Sequence, residues 1–324
     1  MKAPIAGLLI LLIFNSPPAI AQSIALISDI NGRYGSTNYH ERVSTAIDTI
    51  VASRPQLVIS AGDLVAGQKK ALSELQLELM WQGFEDTVRQ PLADAGIEFI
   101  STPGNHDGSA LPGFEQEQQQ YHTHWAEKHP DLKMTADSDW PRRYAVWQDK
   151  LLIIAIDGTL PGKLQAADRA FLESTLDRDR AAAERVIVLS HLPMWPFARG
   201  REKEILRDPQ LQKLLARYQV NFFVSGHHHV FYAGTDAAGV VHIAVGALGG
   251  NARKFVGEAA SQPFSYVSLE LCEEGFKLAA RKAPGFTDDV TLSGLPASIE
   301  GPMGQLTRLD LSMKSGLMEN SCRR

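Results

Sequence analysis

A run of three histidines follows an apolar segment in the second half of the chain. The segment at residues 220–224 leads directly into Ser-Gly-His-His-His at residues 225–229. Because side chains alternate along an extended chain, His227 and His229 can face one small ion while His228 points elsewhere. A histidine cluster after a strand can also be a hydrogen-bonded turn, so this spacing indicates a metal site but does not establish it.

Four other predicted strands also end in Asp, Asn or His. In chain order, the candidate residues at the five strand ends are Asp29, Asn31, Asp63, Asn105, His106, His191, His227 and His229. Any one of them could cap a helix or form a turn, as Asp and Asn often do after a strand. Recurrence at five successive strand ends predicts instead that they converge. Mixed oxygen and imidazole donors suit Mn, Fe or Zn better than Ca or Mg.

The segments that carry these residues alternate between strands and helices. Strands are predicted over residues 24–27, 57–60, 97–100, 143–147, 151–156, 186–190 and 220–224, and helices over residues 39–52, 72–95, 165–176 and 206–218. Residues 108–139 are interpreted as a helical excursion over the site. The strands over residues 239–245, 266–271 and 275–281 predict a more antiparallel end to the domain. This alternation predicts a layered α/β (α+β) core with active residues on loops beyond the strand ends.

The first 21 residues have the pattern of a secretory signal. Lys2 precedes an apolar run over residues 5–14, and Pro17-Pro18 precedes a small-residue cleavage site after Ala21. The run is too short to span a bilayer, although a retained anchor is the alternative. We expect a secreted or periplasmic chain without a membrane span, with one domain over residues 22–283 and an extension over residues 284–324 that packs on it.

Charge and cysteine content narrow the function classes further. The net charge is -5, and acidic and basic residues are interspersed, which gives no case for a nucleic-acid groove or an anionic membrane surface. Cys272 and Cys322 could pair in an oxidising compartment or remain two thiols. Neither has the spacing of a metal ligand pair, so oxygen and imidazole must hold any metal.

Five segments of the chain resemble, in order and spacing, the calcineurin-like metallophosphoesterases, a family that includes purple acid phosphatases and relatives of cyclic-nucleotide phosphodiesterases. The matching residues are Asp29, Gly62-Asp63, Gly104-Asn105-His106-Asp107, His191 and Gly226-His227-His228-His229. The resemblance extends over roughly residues 24–230. It implies a four-layer αββα β-sandwich flanked by helices and a site with two divalent ions, Mn, Fe or Zn.

The resemblance also implies a role for each residue. Asp63 would bridge both ions. The other ligands would be Asp29 and His229 on the first ion, and Asn105, His191 and His227 on the second. His106 would face the substrate, where it could stabilise phosphoryl oxygens or protonate the leaving alkoxide. Two ions would lower the pKa of a bridging water that attacks in line, so the expected function is hydrolysis of small-molecule phosphate monoesters or diesters.

The first strand departs from the family pattern. The family usually has Asp-x-His there, whereas this chain has Asp29-Ile30-Asn31. Asn31 would be a weaker and harder ligand through its amide oxygen, and Tyr34 could supply a phenolate instead or simply pack on the loop. The first site is therefore predicted to bind metal less tightly or to prefer Mn-like or Mg-like ions.

Two other functions stay open at this level. Loss of an imidazole at residue 31 could leave a one-metal or non-catalytic module that binds a phosphate ligand, or the fold could serve as a structural envelope protein. The substrate pocket is predicted to be walled by residues 108–139 and 195–201.

Overall fold

The computed structural model describes residues 22–273 and 275–312. The predicted export signal lies outside these ranges. Cys322 lies outside them as well, so the predicted pairing of Cys272 with Cys322 stays a prediction.

The described residues form two mixed sheets. The strands are β1 (Gln22–Ile27), β2 (Leu57–Ser60), β3 (Glu98–Ser101), β4 (Lys133–Met134), β5 (Tyr144–Gln148), β6 (Leu151–Ala155), β7 (Arg185–Leu189), β8 (Phe222–Ser225), β9 (Tyr232–Thr235), β10 (Val241–Ala244), β11 (Ser265–Cys272), β12 (Gly275–Lys282), β13 (Asp288–Asp289), β14 (Ser298–Gly301) and β15 (Gly304–Arg308). The six-stranded sheet has the order β13-β12-β11-β1-β2-β3, and the nine-stranded sheet has the order β14-β15-β9-β10-β8-β7-β6-β5-β4.

Seven α-helices lie among these strands in the described ranges. They are α1 (Glu41–Ser53), α2 (Glu74–Phe84), α3 (Gln90–Asp94), α4 (Glu115–Trp125), α5 (Ala166–Asp179), α6 (Pro209–Arg217) and α7 (Leu309–Ser312). Helix α6 begins later than the apolar spacing predicts, because the Asp208 side chain accepts the backbone N–H groups of Gln210 and Leu211 and Pro209 occupies the first turn. Across the described residues, none of these helices has the length and apolar character that crossing a membrane requires.

Strand β1 shows how the layers stack. Ile24 and Leu26 belong to the core between the two sheets, whereas Ala25 and Ile27 belong to a second core that includes Ile47 of α1. Alternation along the strand thus places one face against the other sheet and the opposite face against helices. The outer face of the nine-stranded sheet is covered in the same way by α5 and α6, whose apolar residues join the central core. The predicted four-layer αββα class is confirmed.

The parallel strands determine where the site can form. Strands β1, β2 and β3 run parallel in the six-stranded sheet, and β6, β7 and β8 run parallel in the nine-stranded sheet. Carboxyl ends of parallel strands meet at one edge of a sheet, where ligand sites form in open α/β sheets. The two edges lie together here, since the backbone N–H of His227 donates to Asp29 Oδ2 across the sheets at 2.9 Å.

Three regions differ from the sequence prediction in detail. Only residues 115–125 of the predicted excursion are helical, and β4 then pairs at the edge of the nine-stranded sheet. Strand β9 was not predicted, because it is short and contains a glycine. Beyond residue 283, β13 pairs with β12 and β15 pairs with β9, so this part of the chain adds strands to both sheets.

Candidate metal centre

Four of the predicted ligands surround one point between the sheets, and we call Asp63, Asn105, His191 and His227 the inner cluster. His191 Nε2 lies 2.9 Å from Asn105 Oδ1, 3.2 Å from His227 Nδ1 and 3.4 Å from Asp63 Oδ1. One ligand atom from each of Asp63, His191 and His227 lies within 4.8 Å of the others. All four side chains are buried.

The outward-facing nitrogens of the two histidines determine which atoms face the centre. His191 Nδ1 lies 2.7 Å from the carbonyl oxygen of Ala61, which can only accept, so Nδ1–H donates there. His227 Nε2 lies 2.7 Å from a carboxylate oxygen of Glu204 and donates to it. In the neutral rings, His191 Nε2 and His227 Nδ1 then carry no proton, and each presents a lone pair to the centre. The inner cluster is a set of acceptors facing one another, and a divalent cation fits that arrangement.

The remaining predicted ligands, Asp29, Asn31 and His229, form the outer cluster. His229 Nδ1 lies 2.8 Å from the carbonyl oxygen of Asn251 and donates to it, so the neutral ring presents a lone pair at Nε2. That atom lies 3.2 Å from Asp29 Oδ1, a buried oxygen that has no hydrogen-bond partner among the described residues. Asn31 is buried, and it lines the same cavity as His229. An oxygen without a donor next to an imidazole lone pair also fits a cation.

The electrostatics of the site favour a charged Asp29. Burial acts to raise the pKa of Asp29, but attraction from His229 and His191 outweighs it and holds that pKa below its usual range. Burial likewise acts to lower the pKa of His191, and the charges of Asp63 and Asp29 raise it instead. Negative charge is therefore concentrated where positive charge is needed to balance it.

His228 lies in the same loop but has a different role. It is fully buried, and its Nδ1 accepts the backbone N–H groups of Phe197 and Ala198 at 3.1 and 3.3 Å. Its Nε2 donates to the carbonyl oxygen of Glu204 at 3.1 Å, and burial lowers the pKa of His228 to about 3. A neutral His228 ties its own loop to the loop between β7 and α6, and both of its ring nitrogens are used by these contacts.

The loops that carry the ligands have strained backbones in close contact. Left-handed conformations are found at Asp29, Asp63, His227 and His229, with φ of 51°, 58°, 62° and 54°. Such residues persist only where the surroundings hold them, and they are concentrated at functional sites. Two glycines allow the loops to meet: a Cβ on Gly104 would overlap Asp63, and a Cβ on Gly226 would overlap the Ser28 hydroxyl.

His106 lies beside the inner cluster without joining it. Its Nδ1 donates to the carbonyl oxygen of Gly67 at 3.0 Å, and its Nε2 is 3.9 Å from Asp63 Oδ2. The side chain is 18% exposed and its ring packs against Tyr34, with centroids 5.0 Å apart. Nε2 is thus the nitrogen that can meet a substrate. Tyr34 is 57% exposed and lies against this ring.

Two cavities meet at the site. A smaller one of about 260 Å³ adjoins the inner cluster, and a wider one of about 850 Å³ adjoins the outer cluster. Both are lined by the same five side chains, Tyr34, His106, Arg201, His229 and Arg253. Leu111, from the excursion over residues 108–139, and Arg201 lie in the wall of the smaller cavity.

Several residues that support the site were not predicted. Glu204 orients His227, and Gln68 Oε1 accepts the Asn105 amide at 2.9 Å, which leaves Asn105 Oδ1 facing His191. Glu204 lies in a run of charged residues that is typical of an exposed loop, and Gln68 lies in a short loop, so no sequence pattern identifies either residue as part of the site. Arg253 donates to the His227 carbonyl oxygen at 2.5 Å, at the junction of the two cavities.

Comparison with known proteins identifies the family. A family model described as "Calcineurin-like phosphoesterase" matches residues 23–231, more than half of the 324 residues. No curated protein sequence matches the chain.

Solved structures show the same fold at low identity. A purple acid phosphatase, PPD1, from yellow lupin (Lupinus luteus) seeds is 17% identical with a TM-score of 0.62, over 81% of this chain and 51% of that one. A dimetal phosphatase from Danio rerio is 17% identical with a TM-score of 0.54, over 85% and 98%. GAP50, described as the anchor in the inner membrane complex of Plasmodium, is 15% identical with a TM-score of 0.56, over 82% and 85%.

The fold, the family match and the donor set lead to the same assignment. Two groups of acceptors at the carboxyl edges of two stacked sheets suit dinuclear divalent metal binding, and the identity of the metal is left open by them. The chain belongs to the calcineurin-like phosphoesterase family, and the family and the donor set support metal-dependent hydrolysis of phosphate esters.

Proposed function

We propose that the chain is an exported phosphoesterase that holds two divalent ions and releases the alcohol of a small phosphate ester with help from His106. The inner cluster holds one ion, and the outer cluster, with Asn31 in place of an imidazole, holds the other more weakly. Asp63, whose backbone carbonyl oxygen accepts the N–H groups of Ile30 and Asn31, is the proposed shared carboxylate.

One observation carries this proposal. The atoms that face the two centres are carboxylate and amide oxygens and imidazole lone pairs, while the opposite nitrogen of each of His191, His227 and His229 donates to a protein acceptor. Buried acceptors that face one another are costly unless a cation or a proton lies between them. Bound divalent ions would polarise the phosphoryl oxygens and lower the pKa of a coordinated water.

The side chains around the ions have separable roles. With Nδ1–H held by Gly67, a protonated His106 would donate its second proton from Nε2 to the leaving oxygen. Arg253 makes one hydrogen bond to the His227 carbonyl and has further N–H groups at the junction of the cavities, where they can hold a phosphoryl oxygen. Both side chains act on the ester from the cavity side.

The wider cavity is the proposed place for the ester arm. Arg33, Asn38 and Asn251 line it, and none of its described lining residues is a carboxylate. A polar or anionic arm is favoured there over an apolar one, since positive side chains raise the local concentration of anions. A cavity of this size admits both diesters and monoesters with a bulky arm.

The test uses two chromogenic esters. Mature protein stripped with a chelator and reloaded with Mn²⁺ should hydrolyse bis-p-nitrophenyl phosphate or p-nitrophenyl phosphate, and the unloaded protein should hydrolyse neither. The ratio of the two rates assigns diester or monoester preference. Absence of metal-dependent turnover of both esters, with metal bound, would contradict the proposal.

Asn31 also favours a second candidate, a degenerate module that binds a phosphate ligand without turnover. His106→Ala separates the two. If the chain is an enzyme, this variant should lose turnover while its metal content stays nearly unchanged, because His106 is not among the proposed ligands. If it is a binding module, the variant and the wild type should bind phosphate similarly, and neither should turn over an ester.

Export rests on the N-terminal sequence pattern. Lys2, the apolar run over residues 5–14 and the small residues before Gln22 support cleavage after Ala21. N-terminal sequencing of protein recovered from the periplasm or medium should begin at Gln22. Recovery of an uncleaved chain from the membrane fraction would indicate a retained anchor.

A further inference from the structure

We propose that Glu117 of α4 is a positioning residue for His106, acting through the loop at residues 67–69. The inference rests on the proposed function of His106 as the acid that protonates the leaving group. Glu117 lies outside the set of proposed metal ligands, and nothing in its local sequence marks it as part of the site.

The Glu117 carboxylate holds two consecutive backbone N–H groups. Its Oε2 accepts the N–H of Gln68 at 2.5 Å, and its Oε1 accepts the N–H of Lys69 at 3.2 Å. Glu117 is 6% exposed, which is unusual for a glutamate unless it is fully partnered. An ionised acceptor for two backbone donors makes stronger hydrogen bonds than a neutral one.

The loop that Glu117 holds makes contact with two residues of the site. The Gly67 carbonyl oxygen accepts His106 Nδ1–H at 3.0 Å, and Gln68 Oε1 accepts the Asn105 amide at 2.9 Å. The first contact leaves His106 Nε2 for the substrate, and the second turns Asn105 Oδ1 toward His191. One carboxylate thus supports the proposed acid and one proposed ligand together.

The loop needs an anchor of this kind. Gln68 has a left-handed backbone with φ of 59°, a conformation that costs free energy for a residue other than glycine. Gly67 is pressed so closely that a Cβ there would overlap the His106 carbonyl oxygen and lie 2.7 Å from Glu117 Oε2. Without the carboxylate, the backbone N–H groups of Gln68 and Lys69 would lose their acceptor, and the Gly67 carbonyl would be held less firmly against His106.

The test compares Glu117→Gln with Glu115→Gln in the full-length chain. A glutamine at 117 keeps the size of the side chain, but its amide can accept only one of the two N–H groups and turns a donor toward the other. Glu115 lies on the same helix, is exposed and accepts the nearby N–H of Gly113 at 2.9 Å without contacting the loop at residues 67–69, so it is the matched control. Thermal melts establish that both variants fold.

Two leaving groups give the catalytic readout. Phenyl phosphate has a poorer leaving group than p-nitrophenyl phosphate and depends more on a positioned acid. We expect Glu117→Gln to lower kcat for phenyl phosphate about tenfold more than for p-nitrophenyl phosphate, with little change in KM, and Glu115→Gln to change neither. An equal loss for both esters would assign Glu117 a structural role only and would overturn the proposal.

A spectroscopic readout does not depend on turnover. In ¹⁵N-histidine-labelled protein loaded with Zn²⁺, the Nδ1–H signal of His106, assigned by its loss in His106→Gln, should exchange with water at least about tenfold faster in Glu117→Gln. The Nδ1–H of His191, bonded to Ala61, is the internal control and should not change. An unchanged exchange rate of the His106 Nδ1–H in Glu117→Gln would overturn the positioning role. If the exchange is faster in the variant but the wild type hydrolyses no ester, the result would count against the proposed function alone.

Discussion

The inner and outer clusters offer the same kinds of donor atom, but the protein holds them differently. In the inner cluster, Ala61 and Glu204 fix the two imidazoles and Gln68 fixes the Asn105 amide. In the outer cluster, Asn251 fixes His229, while Asn31 lines the wider cavity at the position where the family pattern has a histidine. Donors that are already oriented lose less entropy on binding an ion, so we expect the inner ion to be the more tightly held.

Removing a central metal ligand of the inner cluster should have the largest effect on metal content and activity. His191→Ala deletes the nitrogen that lies near the ligand atoms of the other three inner-cluster residues. We expect the loss of one ion and a fall in kcat on the order of a thousandfold. Metal analysis by plasma mass spectrometry and hydrolysis of the chromogenic esters measure the two effects. The exposed His129→Ala is the control, and retention of two ions by His191→Ala would contradict this description of the inner cluster.

Weakening the support of a ligand should have a smaller effect than deleting one. Glu204→Gln removes the charged acceptor of His227 Nε2–H and is expected to lower the affinity of the inner ion about thirtyfold. Competition with a chromogenic chelator measures the change. Glu202→Gln, an exposed neighbour, should leave the affinity as it is; similar losses in the two variants would show that charge near the site, and not the hydrogen bond, is what matters.

Adding an imidazole at residue 31 tests whether the outer cluster is the weaker metal site. Asn31→His should raise the affinity of the outer ion about tenfold, since imidazole is the better ligand for borderline ions. During timed chelation, the wild type should lose one ion well before the other, and the variant should lose the two at closer times. Equal retention of both ions by the wild type would contradict the weaker outer site.

A second buried carboxylate tests whether an oxygen without a donor always indicates a metal. Asp168 Oδ2, like Asp29 Oδ1, has no hydrogen-bond partner among the described residues, but no cluster of imidazoles surrounds it, and burial raises the pKa of Asp168 to about 6. We infer that a proton takes the place there that we propose for a cation at Asp29. The two oxygens are alike in burial and differ in their neighbours.

The sign of the pH effect follows from the raised pKa. Folding favours the protonated Asp168, so its contribution to stability is present at low pH and is lost as pH rises from about 3.8 through about 6. Between pH 5 and pH 7, wild type should lose about 1 kcal/mol relative to Asp168→Asn. Denaturant unfolding at both pH values measures the difference, with the exposed Asp48→Asn as control; a difference that does not change with pH would exclude the protonated carboxyl.

Much of the architecture could be predicted because its signals are local. Strand β2 was predicted at its observed bounds, and the predicted strands near β6 and β7 agree within one residue, because continuous β-branched and apolar runs mark buried parallel strands. Strand β9 was missed because four residues with a central glycine carry little pattern. The excursion interpreted as helical over residues 108–139 has a helix only at residues 115–125, because polar residues with weak periodicity do not determine where a helix begins or ends.

The sequence by itself determined which chemistry is possible here. Asp, Asn and His recur where apolar strands end, and parallel strands must bring those ends to one edge of a sheet, so residue order alone predicts a donor set and a family. Only the tertiary structure decided which nitrogen of each histidine faces the centre and which loops hold it. Those choices depend on contacts such as His191 with Ala61, 130 residues apart in the chain, and no local pattern encodes a partner at that separation.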